Sequence, residues 1–340
     1  MCKVSDPVFL LGAGFNRDAR RHAGRIQGQS IYVGEFEIEC GYPLAEDLAC
    51  LCFGKVSLSN TETIEELFAE AIARGDWAPL NKLYHALMKA DYYIVPRLVP
   101  NGTNPANPYA RFFQRFRGCH FLTFNYDSLP EIFLLSLGAW FAHDGYGLPV
   151  KVDLSPAADR EILSRRSKSY VLHLHGSLCI YPESYESKKE PGGTLEWLVR
   201  KETPSYVFDP DAISHLFLPY TRISAGNSYV TVENRVVAPV PNKATALQQD
   251  FIQAVRDRAD PILESCSALV AIGYSFNKLD HASYEHTLDA LSRSARPRVA
   301  VVCPDAALLS RRLTAEYPGI HWEPREATFE GWVDADFPGA

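Results

Sequence analysis

Val8-Phe9-Leu10-Leu11-Gly12-Ala13-Gly14-Phe15-Asn16 reads as a short apolar strand that runs straight into a glycine turn. Four consecutive apolar residues leave no polar face, so this strand is expected to be covered on both sides, as in a parallel sheet. Glycines at 12 and 14 permit a tight turn. They also let the backbone approach a pyrophosphate, with the amino end of a helix supplying N–H donors. The third glycine of the dinucleotide fingerprint is absent, because Arg17 holds its place. Taken alone, the turn fits a phosphate site and a plain strand-to-helix junction equally well.

Four more apolar runs end in a comparable way. Cys119–Phe124 ends at Asn125-Tyr126-Asp127, and Tyr170–His175 ends at Gly176. Ala268–Ile272 ends at Gly273, and Val299–Cys303 is stopped by Pro304. Helical patterns fill the gaps. Ile64, Leu67, Phe68, Ala71 and Ile72 recur at helix spacing, with Thr63 and Glu66 placed for a capping box. Leu247, Phe251, Ala254 and Val255 mark a second helix, and residues from Ala306 to Tyr317 a third. The expected fold is α/β: a Rossmann-like doubly wound parallel sheet with a helical insertion and no zinc ribbon. A single domain over 1–340 is expected. Its core covers about 5–30, 115–180 and 230–335, the helical insertion about 50–110, and a flap or loop about 177–210.

Composition narrows the class. The chain has 340 residues, 46% hydrophobic and 22% charged, enough for a large core without disulfide or metal staples. Lys and Arg number 34 against 41 Asp and Glu, a net charge of −7. That balance argues against general nucleic-acid coating or a polybasic membrane surface. No apolar run reaches membrane-spanning length, and the first residues do not read as a signal peptide, so a cytoplasmic protein is expected. The eight cysteines include no C-x-x-C pair; Cys50 and Cys52 form a lone C-x-C. Reduced thiols fit this pattern better than a four-ligand zinc site or a disulfide framework.

In an open parallel sheet, ligands bind at the carboxyl ends of the strands. Four such ends carry glycine or polar residues: Gly12-Ala13-Gly14, Asn125 with Asp127, His175-Gly176-Ser177, and Gly273 with Ser275. Asn125 and Asp127 straddle Tyr126, so an extended backbone would point both the same way, toward a sugar hydroxyl, a carboxamide or a water. A capped turn is the plainer reading of that pair. His173 and His175 share the same spacing and could ligate a metal, but no carboxylate accompanies them within the motif.

The set GAGFN, TFNYD, HLHGS and GYSF, in this order, resembles the sirtuin superfamily. GYPLAEDLA (41–49), RVVAPVPNK (235–243) and AIGYSFNKLD (271–280) make the chain similar to the zinc-less bacterial sirtuin-like NAD hydrolases linked to anti-phage defence. The resemblance runs from Val8 to TFEGW at about Trp332. It implies that Gly12, Ala13 and Gly14 form a phosphate-binding turn with Asn16 nearby. It implies that Asn125 holds the nicotinamide ribose region and positions the attacking water, and that Asp127 contacts the carboxamide. His175 would be the base, Gly273 and Ser275 would bind pyrophosphate or adenosine ribose, and Asp280 would help at the ribose. Asp305 could reach the adenosine, although the family's usual asparagine is not visible there. The four-cysteine ribbon of the deacylases is missing, since Ser177 to Phe208 contains only Cys179, and so is their PDFR segment.

The resemblance therefore implies NAD as substrate, with no metal, and cleavage of the nicotinamide–ribose bond by water to give nicotinamide and ADP-ribose. A gated effector of anti-phage defence that depletes NAD is the expected role. The expected partners are further copies of the chain and a separate sensor or activator, such as a ring-forming ATPase or an Argonaute-like protein. No membrane and no direct nucleic-acid contact are expected. Three rivals remain: an NAD-dependent protein deacylase, a catalytically silent NAD or ADP-ribose sensor module, and a metal hydrolase built on His173 and His175.

Overall fold

The computed structural model describes residues 6–17, 19–22, 31–33, 36–38, 42–43, 45–55, 57–58, 63–99, 106–152, 164–189, 196–208, 222–225, 228–231, 240 and 250–339. Within them, six strands form one sheet: β1 (Val8–Leu11), β2 (His120–Thr123), β3 (Val171–His173), β4 (Leu269–Ile272), β5 (Arg298–Cys303) and β6 (His321–Glu326). Their spatial order is β6-β5-β4-β1-β2-β3, and every neighbouring pair is parallel. The chain runs outward from β1 to one edge, returns to the centre and runs outward to the other. This is a doubly wound, Rossmann-like order whose switch point lies between β1 and β4.

Hydrophobic runs account for the interior strands. All four residues of β1 and of β4 are buried. β6 follows a different rule and is the strand that a search for apolar runs does not find. His-Trp-Glu-Pro-Arg-Glu alternates exposed and covered residues. An edge strand needs only one covered face, and it tolerates Pro324 because a missing N–H there breaks no inner ladder.

The helices longer than one turn among the described residues are α1 (Ala45–Phe53), α2 (Ile64–Ala73), α3 (Ala78–Leu98), α4 (Pro108–Arg115), α5 (Leu129–Ser136), α6 (Asp250–Ser265), α7 (His281–Ser292), α8 (Ala306–Glu316) and α9 (Phe329–Asp334). The first four lie between β1 and β2, where the sequence is helical by pattern. Thr63 and Glu66 form the expected capping box at the start of α2. Asn107 caps α4 by accepting from the Tyr109 and Ala110 N–H groups. That cap aims the aromatic face of α4 at the sheet. Phe112 lies 5.0 Å from the ring of Phe9, and Phe121 stacks on Phe9 at 5.4 Å. α9 adds Phe329, 4.5 Å from Phe15. Each such ring, fully buried, contributes about 1.5–3 kcal/mol. The Tyr109 hydroxyl donates to the Phe15 carbonyl at 2.8 Å, tying the turn after β1 to α4.

The segment read as a flap or loop at 177–210 contains strands instead. Ile180–Lys189 and Glu196–Phe208 pair antiparallel, with an irregularity between Glu183 and Tyr185, and Val150–Val152 joins them in parallel. Strand formers such as Tyr181, Tyr185, Trp197, Leu198 and Tyr206 are diluted by Glu, Lys and Pro, so the alternation is hard to hear. The RVVAPVPNK motif, apart from Val240, lies outside the described residues, as do Leu247, Gly41 and Leu44. Cys50, Cys52, Cys119, Cys179, Cys266 and Cys303 are free thiols. Among the described residues no group of three or more His, Cys, Asp or Glu could hold a metal ion. No helix among them is long and apolar enough to cross a membrane.

Candidate functional site

The two central strands end in a seam of glycine against glycine. The Gly12 N–H donates to the Ile272 carbonyl at 3.0 Å, and the Gly14 N–H to the Gly273 carbonyl at 2.9 Å. A Cβ on Gly12 would stand 2.6 Å from the Gly273 oxygen. One on Gly273 would stand 2.2 Å from the Phe15 nitrogen, and Gly273 has φ +61°, a conformation side chains resist. These glycines therefore let two loops touch, and the N–H groups of Gly12 and Gly14 are spent on that contact. The turn continues as a single 3-10 turn, Ala13–Phe15, and a one-turn helix, Ala19–His22.

A cavity lies on each side of the seam. The first has a volume of about 410 Å³ and is lined by Ala13, Asn125, His175, Gly273, Ser275 and Asp280. Its outer wall comes from the helical insertion, through Leu48 on α1 and Ile64 and Glu65 on α2. The Asn277 amide reaches Glu65 Oε1 at 3.4 Å, joining that wall to the loop after β4.

Asn125 is held at three atoms. Its N–H donates to Thr123 Oγ1 at 2.9 Å and its Nδ2 to the Gly12 carbonyl at 3.1 Å. Its own carbonyl accepts from His173 Nδ1 at 3.0 Å. Because the Gly12 oxygen can only accept, the amide orientation is fixed, and Oδ1 is the end left for a ligand hydroxyl or water.

His175 sits in a chain of hydroxyls and one carboxylate. Its Nε2 is 2.7 Å from Ser283 Oγ, Ser283 donates to Asp280 Oδ1 at 2.7 Å, and the Tyr274 hydroxyl donates to Asp280 Oδ2 at 2.7 Å. The one Ser283 proton points at Asp280, so Nε2 of His175 must carry the hydrogen between them. In the neutral ring Nδ1 is then the basic nitrogen. Burial and the Asp280 charge hold the Tyr274 phenol well above its usual range, so it stays a donor. Asp280 Oδ1 lies 3.7 Å from Nε2, close enough to stabilise an imidazolium. The ring of Phe124 fills the space between His175 and Tyr274, with both centroids at 4.6 Å.

The second cavity, about 590 Å³, is mostly apolar. Gly14, Leu308, Leu309 and Pro304 line it, together with Asp305 and Arg312. Gly273, Tyr274 and Ser275 border both cavities. Arg312 is turned back onto the loop after β4, where it donates to the Phe276 carbonyl.

Asp127 and Asn16 lie behind the first cavity rather than on its wall. Both are buried, and Asn16 Nδ2 donates to Asp127 Oδ2 at 2.6 Å while the Leu129 N–H caps Oδ1 at 3.1 Å. They belong to a buried acidic cluster with Asp91 of α3 and Glu131 of α5. Tyr42 and Ser128 donate to Asp91 at 2.6 and 2.7 Å. Burial pushes the Asp91 carboxyl up to about 6. Burial, with Asp91 and Glu131 nearby, pushes that of Asp127 up to about 7. His173 Nε2 lies 2.6 Å from Glu131 Oε1. Burial alone would lower the His173 ring, but the charge and hydrogen bond of Glu131 outweigh it and raise it.

Sequence reasoning did not single out Ser283, Tyr274 or Glu131. Ser283 is three residues after Asp280, the spacing at which neighbours on a helix meet, and Glu131 follows Asp127 at four. Those spacings were the available signal.

No protein-family model matches the chain, and no curated protein matches it. Among solved structures, two substituted Sir2 homologues in complex with ADP-ribose are similar at low identity. One is 15% identical with a TM-score of 0.37, the other 16% with 0.38. Each alignment covers 96% of this chain and 88% of the other. At that level the ADP-ribose belongs to those proteins, and the chemistry here stands on this chain's own residues.

Proposed function

We propose that this protein is an NAD glycohydrolase. Water attacks the anomeric carbon of the nicotinamide ribose, the carbon–nitrogen bond breaks, and nicotinamide, ADP-ribose and one proton result. The observation that carries this reading is the pair of cavities at the sheet's switch point that share Gly273, Tyr274 and Ser275 in their linings. The more polar cavity holds Asn125 and His175; the other is apolar enough for an adenine. A dinucleotide laid across Gly273-Tyr274-Ser275 would put its reacting ribose at Asn125.

Nicotinamide leaves as a neutral ring, so no strong general acid is needed, and the ribose gains oxocarbenium character. What the site must supply is orientation and a base. Asn125 Oδ1 orients the water or a ribose hydroxyl. His175 Nδ1 takes the proton, and Asp280, through Ser283, stabilises the resulting imidazolium. A role as a gated effector that depletes NAD in anti-phage defence, triggered by self-assembly or a separate activator, extends the same reading.

The test is nicotinamide release from NAD by the purified chain, alone and with proteins encoded beside it. Asn125→Ala and His175→Ala are each expected to lower release by about 100-fold or more. Release that requires an acylated peptide would instead make the protein a deacylase. Binding without release under every condition would make it a sensor.

A further inference from the structure

We propose that His173 and Glu131 form a buried positioning pair for Asn125, acting on the backbone carbonyl of the residue whose side chain faces the reacting ribose. The proposal rests on the NAD-hydrolase reading above and extends it to residues outside the cavity.

The geometry leaves His173 few options. Its Nδ1 meets the Asn125 carbonyl, which can only accept, so Nδ1 carries a hydrogen. Its Nε2 meets Glu131 Oε1, which also accepts from the Tyr146 hydroxyl at 3.1 Å. The charge and hydrogen bond of Glu131 strengthen the ring's hold on a second proton against the cost of burial. His173 is therefore clamped between the Glu131 carboxyl and a main-chain carbonyl. Both side chains are fully buried, and Glu131 Oε2 has no hydrogen-bond partner among the described residues. Among the described residues, the other ionisable groups around the pair include Asp127 on the turn after β2, Asp91 on α3, Tyr146 and Cys179. All of these are acids, so none of them is a base competing with His173 for a proton.

Fixing this carbonyl fixes the amide. Asn125 has its N–H on Thr123 and its Nδ2 on Gly12. The His173 bond is the third restraint, and it sets the tilt of the peptide from which the side chain springs. Losing it frees the Asn125 peptide to rotate while leaving the cavity lining in place. His173 and Glu131 touch no ligand in this scheme; they act through Asn125.

A double-mutant cycle distinguishes action through Asn125 from a general structural role. His173→Gln, Asn125→Ala and the double variant are compared by ADP-ribose calorimetry, and His173→Gln also by steady-state NAD turnover. His173→Gln is expected to lower kcat by about 100-fold, the scale of a misplaced reacting group, with KM changed by less than about threefold. Glu131→Gln keeps a neutral His173 with its Nδ1 hydrogen on Asn125, because the new amide can donate to Nε2. It is expected to lose about tenfold. His173→Gln is expected to weaken ADP-ribose binding by about twofold to threefold in the wild-type background and, in the Asn125→Ala background, to change it no further.

Equal losses of affinity in both backgrounds would overturn the proposal, as would wild-type kcat in His173→Gln. If His173→Gln does not fold, Glu131→Gln takes its place in the cycle. A wild-type chain that binds ADP-ribose but releases no nicotinamide removes the hydrolase reading, and the affinity cycle still decides this one. A chain that does neither removes both.

Discussion

His173 and His175 stand on either side of Leu174, and their surroundings differ by one hydroxyl. His173 closes β3 and turns inward, with Glu131 in direct contact at 2.6 Å. His175 lies beyond the strand end, next to Gly176 at φ 87°, and lines the cavity. Its carboxylate, Asp280, is reached through Ser283. A carboxylate in contact strengthens the ring's hold on its proton. A carboxylate one hydroxyl away chooses the tautomer and stabilises the charged form, yet leaves the ring able to gain and lose the proton. The first arrangement suits a support and the second a base.

Truncation should separate the two most sharply. His173→Ala leaves Glu131 buried and unpaired, and is expected to cost about 3–5 kcal/mol of folding stability by denaturant melt. His175→Ala is expected to change stability by less than about 1 kcal/mol while removing nicotinamide release. If both variants melt alike, the contrast between support and base fails.

Ser283→Ala tests the intervening hydroxyl. It leaves the His175 Nε2 hydrogen facing Asp280 Oδ1 at 3.7 Å without the bridging hydroxyl, so kcat is expected to fall about tenfold. A wild-type rate would show that the relay does not govern the base.

The smallest effect is one of pH. Asp91 and Asp127 have carboxyls raised to about 6 and about 7, whereas in the unfolded chain they titrate near 4. Between those values the folded state holds protons that the unfolded state has released, so stability falls as pH rises through that window. His173, raised by Glu131, has the same sign. Its contribution is present below about 6.5 and is lost as pH rises through its folded value. The melting temperature is expected to drop between about pH 5 and 8, and Asp127→Asn should flatten the slope. Asn16 can flip to accept from the new amide, since its Oδ1 has no hydrogen-bond partner among the described residues. A slope unchanged in that variant would locate the pH dependence elsewhere.

The five apolar runs and their glycine or polar endings made the interior of the sheet legible, because a strand covered on both faces has to be apolar throughout. β6 was not legible by that rule, since an edge strand hides among His, Glu, Pro and Arg. The ribbon at Ile180–Phe208 was obscured by its charge. At the candidate site, Asn125 and His175 stand at strand ends, Asp280 is a residue only the sirtuin resemblance singled out, and all three line one cavity. Burial decided the rest. Asp127 looks like a partner of Asn125 on paper, but the turn sends it inward to Asn16 and Leu129. The role of Ser283 depends on α7 meeting the end of β3, a contact between segments more than a hundred residues apart that no local pattern encodes.

The glycine seam also dictates when the site can exist. Val8 pairs with His120 on one side and with Leu269 on the other, so half of the central strand's partners are synthesised long after it. Such distant pairings close slowly and late. His175 waits still longer, until Ser283 has emerged to meet it. A nascent chain still short of β4 cannot form the seam, and one still short of α7 cannot form the relay. If the finished protein consumes NAD, the order of synthesis keeps every incomplete copy silent without any inhibitor.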